Sequence, residues 1–290
     1  MRYQEFLPHE ALQDFVKRFW ILERGYTPDD PTDEIPPDAC VELIFNFGSP
    51  YFLVEDGTER PLPSTYLVGM QDRTLTVGSR GVVKIVAARF FAWGLLPFLD
   101  LHATPGSTAA FTLDAEWHAL AERMRADVQH DHYEDAAERL EGFFLGKRLK
   151  LLEEPRKVQA AAKLLYQTKG QARIHEVADA CGLSVRQLQR QFDQQTRVAP
   201  KTLARTIRFE AVRERLMHEP DANLTDLAYE LGYADQAHFI KDFKALTGKT
   251  PGEFAASMRA FQAVLRDREN VVFLQSPPSM PDYPQDVDSR

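Results

Sequence analysis

Hydrophobic residues change rhythm along this chain. In the first hundred positions they come in short runs rich in β-branched and aromatic side chains: Phe15–Leu22, Val41–Phe47, Tyr51–Val54, Tyr66–Met70, Leu75–Val77 and Val82–Phe91. Pro36-Pro37, Gly48-Ser49-Pro50, Asp56-Gly57, Gly78 and Gly81 separate them. Short strands at this spacing predict a barrel or sandwich. The acidic, proline-rich stretch Thr27–Pro37 reads as a loop. After Phe91 the period lengthens. A short helix is predicted around Gly94–Leu101, and longer ones near Leu113–Ala126 and Tyr133–Leu149, the last carrying Ala136, Leu140 and Phe144 at helical spacing. Leu151–Pro155 interrupts the pattern. It divides a β-rich then helical half, residues 1–154, from an all-α half, residues 155–265.

The second half contains one pattern twice. Ile174, Val177, Ala178 and Gly182 recur as Leu224, Leu227, Ala228 and Gly232, and Leu188, Phe192, Thr196 and Pro200 recur as Phe239, Phe243, Thr247 and Pro251. Each copy reads as a short helix, a turn on glycine, an N-cap and a second helix, which is the grammar of a helix-turn-helix. Ser184 and Asp235 stand at the N-cap positions. With Leu188 and Phe192 facing inward, Val185, Arg186, Gln189 and Arg190 face outward. In the second copy Phe239, Phe243 and Leu246 face inward, leaving Gln236, Ala237, Ile240, Lys241 and Lys244 outside. Arg, Gln and Lys are the side chains that read purine edges or clamp phosphates. One outward cation is ordinarily a solvated helix face; three at matching positions of a repeat favour DNA contact. Between the copies lies a predicted rod opened by Pro200 and closed before Pro220, with Leu203, Ile207, Ala211 and Leu216 along one stripe.

Three segments carry a resemblance to the AraC/XylS-type transcription regulators: Ala178–Phe192, Pro200–Leu216 and Leu227–Phe254. The resemblance spans roughly Pro155–Phe261. It implies that the two second helices enter successive major-groove segments, with Arg186, Gln189, Arg190, Gln236, Ala237 and Lys241 toward the bases. It also implies that residues 1–154 form a sensing or dimerisation domain, that RNA polymerase is a partner, and that activation is favoured over repression. Arg197 departs from the pattern, standing where the second copy has Gly248. A left-handed Arg is strained, so this helix end is expected to differ from its counterpart.

Charge supports the division. The net charge of −8 is unpromising for a DNA-binding chain, yet residues 156–266 carry 18 Lys and Arg against 12 Asp and Glu, while residues 1–155 carry 15 against 26. Basic charge gathers where phosphates would be met. No apolar segment suits a signal peptide or a bilayer span, and Cys40 and Cys181 read as reduced structural cysteines, so a cytoplasmic protein is expected. The acidic, proline-rich residues 266–290 read as a flexible tail.

Two other readings stand beside the regulator. A cupin-like metal-dependent enzyme would need clustered ligands. The eight histidines are scattered, with only His130-Asp131-His132 close in sequence, and no Walker loop, G-x-S-x-G or C-x2-C occurs. No metal, cofactor or catalytic residue is therefore expected. In the other reading the first half is a ligand-independent scaffold that pairs two copies into a homodimer. Against it, Trp20, Phe45, Phe47, Phe90 and Trp93 are candidates to line a pocket for an apolar or aromatic small-molecule effector, although aromatic strand residues are more often core.

Overall fold

In the computed structural model, residues 1–98, 108–110, 115–148 and 156–266 are described. The Leu151–Pro155 junction, the tail beyond residue 266 and the end of the predicted Gly94–Leu101 helix lie outside them. What is described of that helix is a single 3-10 turn, Leu96–Phe98.

Among the described residues, ten strands form two antiparallel sheets. β1 (Arg2–Phe6), β2 (Val16–Gly25), β9 (Val82–Phe91), β4 (Cys40–Asn46), β7 (Thr65–Val68) and β10 (Thr108–Ala110) make the larger sheet, in that spatial order. β3 (Asp33–Ile35), β8 (Leu75–Ser79), β5 (Tyr51–Glu55) and β6 (Thr58–Pro61) make the smaller. The central strands of the larger sheet are apolar on both faces because both faces are covered. Phe19, Ile21, Leu43, Phe45, Val86, Ala88 and Phe90 pack under α1 (Ala115–Gln129) and α2 (Tyr133–Arg148). Trp20, Leu22, Ile44, Ile85 and Ala87 face the smaller sheet, meeting Tyr51, Leu53, Leu75 and Val77. The strands, the two following helices and the β-then-α order agree with the expected fold class.

The all-α half consists of α3 (Arg156–Gln167), α4 (Ile174–Ala180), α5 (Val185–Thr196), α6 (Pro200–His218), α7 (Leu224–Glu230), α8 (Gln236–Thr247) and α9 (Pro251–Arg266). Its core has two parts joined by α6. Phe209, Val212 and Leu216 pack with Leu227, Phe239 and Phe243 around the second helix-turn-helix. The first unit instead shares its core with the β-rich half. Ala39, Phe91, Ala92 and Trp93 pack among Val158, Ala162, Leu165, Val177, Leu188, Phe192 and Leu203. Trp93 is fully buried. It stacks on Phe91 at 4.8 Å between ring centroids, meets Tyr166 edge-on, and donates its Nε1–H to Asp14 O at 2.9 Å. Tyr166 donates to Ala39 O at 2.5 Å, and Lys163 pairs with Asp14.

Candidate nucleic-acid interface

Each helix-turn-helix is built from local chemistry that its sequence dictates. Gly182 and Gly232 turn the chain between helices at φ +62° and +72°, a conformation that costs a Cβ-bearing residue strain. Ser184 then caps α5 in a capping box. Its Oγ accepts from the Gln187 N–H at 3.3 Å, and the Gln187 side chain accepts from the Ser184 N–H at 2.9 Å. Asp235 caps α8 by accepting from the His238 N–H at 2.7 Å. Both residues are therefore occupied in holding a helix start, which also sets the direction of the exposed face behind it.

The two second helices end alike as well. Thr196 Oγ1 donates to Phe192 O, and Thr247 Oγ1 to Phe243 O; each hydroxyl also accepts from the N–H two residues on, Val198 or Lys249, at 3.1 Å. Arg197 takes the left-handed cap at φ +57°, as Gly248 does at φ +75°. This corrects the expectation that the first helix would end differently. The strain is present but local, because the threonine and the Arg197 N–H bond to Asp193 O repeat the same closure.

Leu188, Phe192, Phe239, Phe243 and Leu246 are buried. Ser184, Val185, Arg186, Gln189, Arg190, Asp235, Gln236, Ala237, Ile240, Lys241 and Lys244 are exposed. Among the described residues, the side chains of Arg186, Arg190, Lys241 and Lys244 have no ion pair or hydrogen bond. The arginines of the connecting rod are engaged instead. Arg205 pairs with Asp242 at 3.1 Å, Arg208 donates to Gly170 O at 2.7 Å, and Arg215 pairs with Glu219 at 3.0 Å. Arg213 is buried. The pattern separates cations used for structure from cations presented to solvent. It also gives Arg208 a structural role: it ties the turn before α4 to α6.

The candidate effector residues are split up. Trp20 lines a cavity of about 670 Å³ between the two sheets, closed on one side by Arg213, Met217, Phe254 and Met258 of the all-α half. Phe45 and Phe90 lie instead in the core beneath α1 and α2, Phe47 packs against its edge, and Trp93 belongs to the core shared between the halves. None of these four lines that cavity. Alternation along a strand distinguishes two faces but does not say which face is filled by helices.

A buried charge cluster crosses the same boundary. Ligand-capable atoms of Asp38, Cys40 and Glu210 lie within 4.8 Å of one another. Lys17 Nζ is 3.5 Å from Cys40 Sγ. Burial opposes its charge, but the Glu210 and Asp38 carboxylates near it help carry the ammonium above its ordinary pKa. Burial likewise pushes the Cys40 thiol up. A cation thus already serves these groups, and a protonated thiol is a poor metal ligand.

Residues 177–257 match the family described as a helix-turn-helix domain, and residues 4–105 match a domain of unknown function, DUF6597. The HTH-type transcriptional activator RhaS of Escherichia coli is 40% identical over 68 residues, which is 23% of this chain and 24% of RhaS. The match thus spans about a quarter of that relative's length. Among solved structures, ToxT from Vibrio cholerae aligns over 82% of this chain and 98% of its own, with 12% identity and a TM-score of 0.47. An AraC-type DNA-binding regulator from Chromobacterium violaceum aligns over 36% of this chain and 92% of its own, with 22% identity and a TM-score of 0.33. No helix among the described residues is long and apolar enough to cross a membrane.

Proposed function

We propose that the C-terminal half of this chain is an AraC/XylS-type helix-turn-helix domain and that the protein is a sequence-specific, double-stranded-DNA-binding transcription regulator rather than an enzyme. The observation that carries the reading is the repeated exposed face. Two helices with like caps and like buried stripes present unpaired cations at their outward positions. In this reading Arg186, Gln189 and Arg190 meet bases in one major-groove segment, and Gln236, Ala237 and Lys241 meet bases in the next. Lys244 and the N-terminal turns, with Ser184, Val185 and Asp235, lie against the backbone. The rod that joins the units has 19 residues, about 28 Å at 1.5 Å per residue. That length suits two reading heads roughly one 34 Å turn of DNA apart.

Residues 1–154 supply control, through a small molecule or through pairing of two copies. A ligand acts there only by binding one arrangement of the halves better than another. Activation through RNA polymerase is the favoured outcome.

Fluorescence anisotropy with a labelled duplex at several salt concentrations tests the DNA reading. Lys244→Ala should weaken binding alike for all sequences and lower the salt slope by about one. Binding with no salt dependence would rule out phosphate contact.

A further inference from the structure

The cavity between the two sheets is bordered by a row of residues on the larger sheet, of which Trp20, Ile44 and Tyr66 line it. Trp20 pairs with Ala87, Ala87 with Ile44, and Ile44 with Tyr66 across β2, β9, β4 and β7. These four residues form one row on one face of the larger sheet, with a large aromatic at each end and two smaller side chains between. The ends are about 14 Å apart, three strand spacings. Trp20 is 8% exposed and Tyr66 3%, and both line the cavity. Trp20 Nε1 makes no hydrogen bond of good geometry with a described residue, its nearest acceptor being the Glu42 carboxylate, and the Tyr66 hydroxyl makes no hydrogen bond with a described residue. A buried donor left unpaired costs free energy that a bound acceptor recovers.

The charged groups around the row are already served. Arg89 donates to Glu42 at 2.7 Å, Arg24 pairs with Asp33 at 3.0 Å, and Lys249 pairs with Glu34. Burial raises the Glu42 carboxyl above its ordinary value, an effect that Arg89 and the nearby Trp20 N–H only partly offset, and its Oε1 is held by Arg89. What the cavity lacks is not a counter-ion but a well-placed neutral acceptor for the Trp20 and Tyr66 donors.

We infer that this cavity binds an uncharged, mostly apolar small molecule, aromatic or alicyclic, bearing a carbonyl or comparable acceptor oxygen that takes a hydrogen bond from Trp20 or Tyr66. The assignment rests on the regulator reading for its consequence, though not for the binding itself. That consequence follows from the cavity's rim. The Thr74 N–H donates to Leu246 O in the last turn of α8 at 3.0 Å, and Thr74, Thr247 and Lys249 all line the cavity. The first helix-turn-helix is fixed to the β-rich half by a shared apolar core. At the second, among the described residues, polar ties are the bonds from Thr74 to Leu246 O and the Lys249–Glu34 pair. A molecule in the cavity therefore acts on the placement of the second reading head.

Three matched probes test the assignment by thermal shift and fluorescence titration of the full chain: 2-acetylnaphthalene, 2-ethylnaphthalene and 2-naphthoic acid. The ketone should bind about three- to tenfold tighter than the hydrocarbon, the range of one neutral hydrogen bond, and tighter than the acid. Trp20→Phe or Tyr66→Phe should remove that preference. Ile44→Phe, which enlarges a side chain lining the cavity between Trp20 and Tyr66, should abolish ketone binding in a protein that still melts cooperatively. Equal binding of ketone and hydrocarbon, preference for the acid, no binding by any probe, or undiminished binding to Ile44→Phe would each overturn it. Anisotropy on DNA runs in parallel. DNA binding that persists without a ketone response defeats this inference alone, whereas a ketone response without DNA binding defeats the regulator reading alone.

Discussion

Gly170→Ala should be far more damaging than Gly182→Ala, although both glycines hold left-handed turns in the same domain. At Gly182, φ is +62° and a Cβ would meet nothing within 4 Å. The cost there is the left-handed conformation alone, about 1–2 kcal/mol, less about 0.5–1 kcal/mol returned by the stiffer unfolded chain. At Gly170, φ is +73° and the added Cβ would stand 2.1 Å from Ala204 O, a backbone atom of α6. Neither side can yield freely. The Gly170 N–H donates to Leu165 O at 2.7 Å, and Gly170 O accepts from Arg208 at 2.7 Å. Relieving the overlap means moving the turn off α6, an overpacking cost of about 1–3 kcal/mol added to the first. Gly170→Ala should therefore lose about 2–4 kcal/mol and Gly182→Ala about 1 kcal/mol or less. Urea unfolding of both variants followed by circular dichroism measures the difference. Equal losses would refute the claim that the α3–α4 turn is seated against the rod.

Other outcomes follow from single features. Arg197→Gly should raise stability by about 0.5–1 kcal/mol by relieving the left-handed cap, read as a higher urea midpoint. Trp93→Ala should cost about 3–5 kcal/mol and should weaken protection of α4 and α5 in hydrogen exchange more than that of α8. By the same logic a fragment beginning at residue 156 should bind DNA less tightly than a simple modular division would suggest, because Ala39, Phe91, Ala92 and Trp93 no longer cover its first unit. The Glu253 carboxyl is held below its ordinary value by the Thr250 N–H and hydroxyl. Its contribution is thus present above the unfolded value and is lost as pH falls below it. Glu253→Gln should flatten the stability profile in that acid range.

Much of the DNA-facing half is legible in the sequence because its signals are local. A capping serine, a turn glycine and a buried pair four residues apart each act within a few positions, and their repetition cancels accident. Pro200 opens α6, and Ser184 and Asp235 cap α5 and α8, where the sequence places them. The β-rich half is legible as strands but not as layers. Phe45 and Trp20 look alike in their runs, yet one lies beneath α1 and the other over the cavity, because pairing across distant strands decides the face. The shared core is harder still. Trp93 follows a strand, and nothing near it reveals that its partners are Tyr166 and Val177. A residue such as Arg213 also reads as one more basic position on a rod until the rod is seen to be covered.

The central claim is that two helices read two adjacent segments of one duplex. Selection of bound sequences from a random duplex library, repeated with Arg190→Ala and Lys241→Ala, tests it directly. One motif with two segments about ten base pairs apart is expected, each substitution relaxing its own segment at a cost of about 1–3 kcal/mol. A single segment affected by both substitutions, or enrichment of no motif with binding that merely tracks salt, would contradict it.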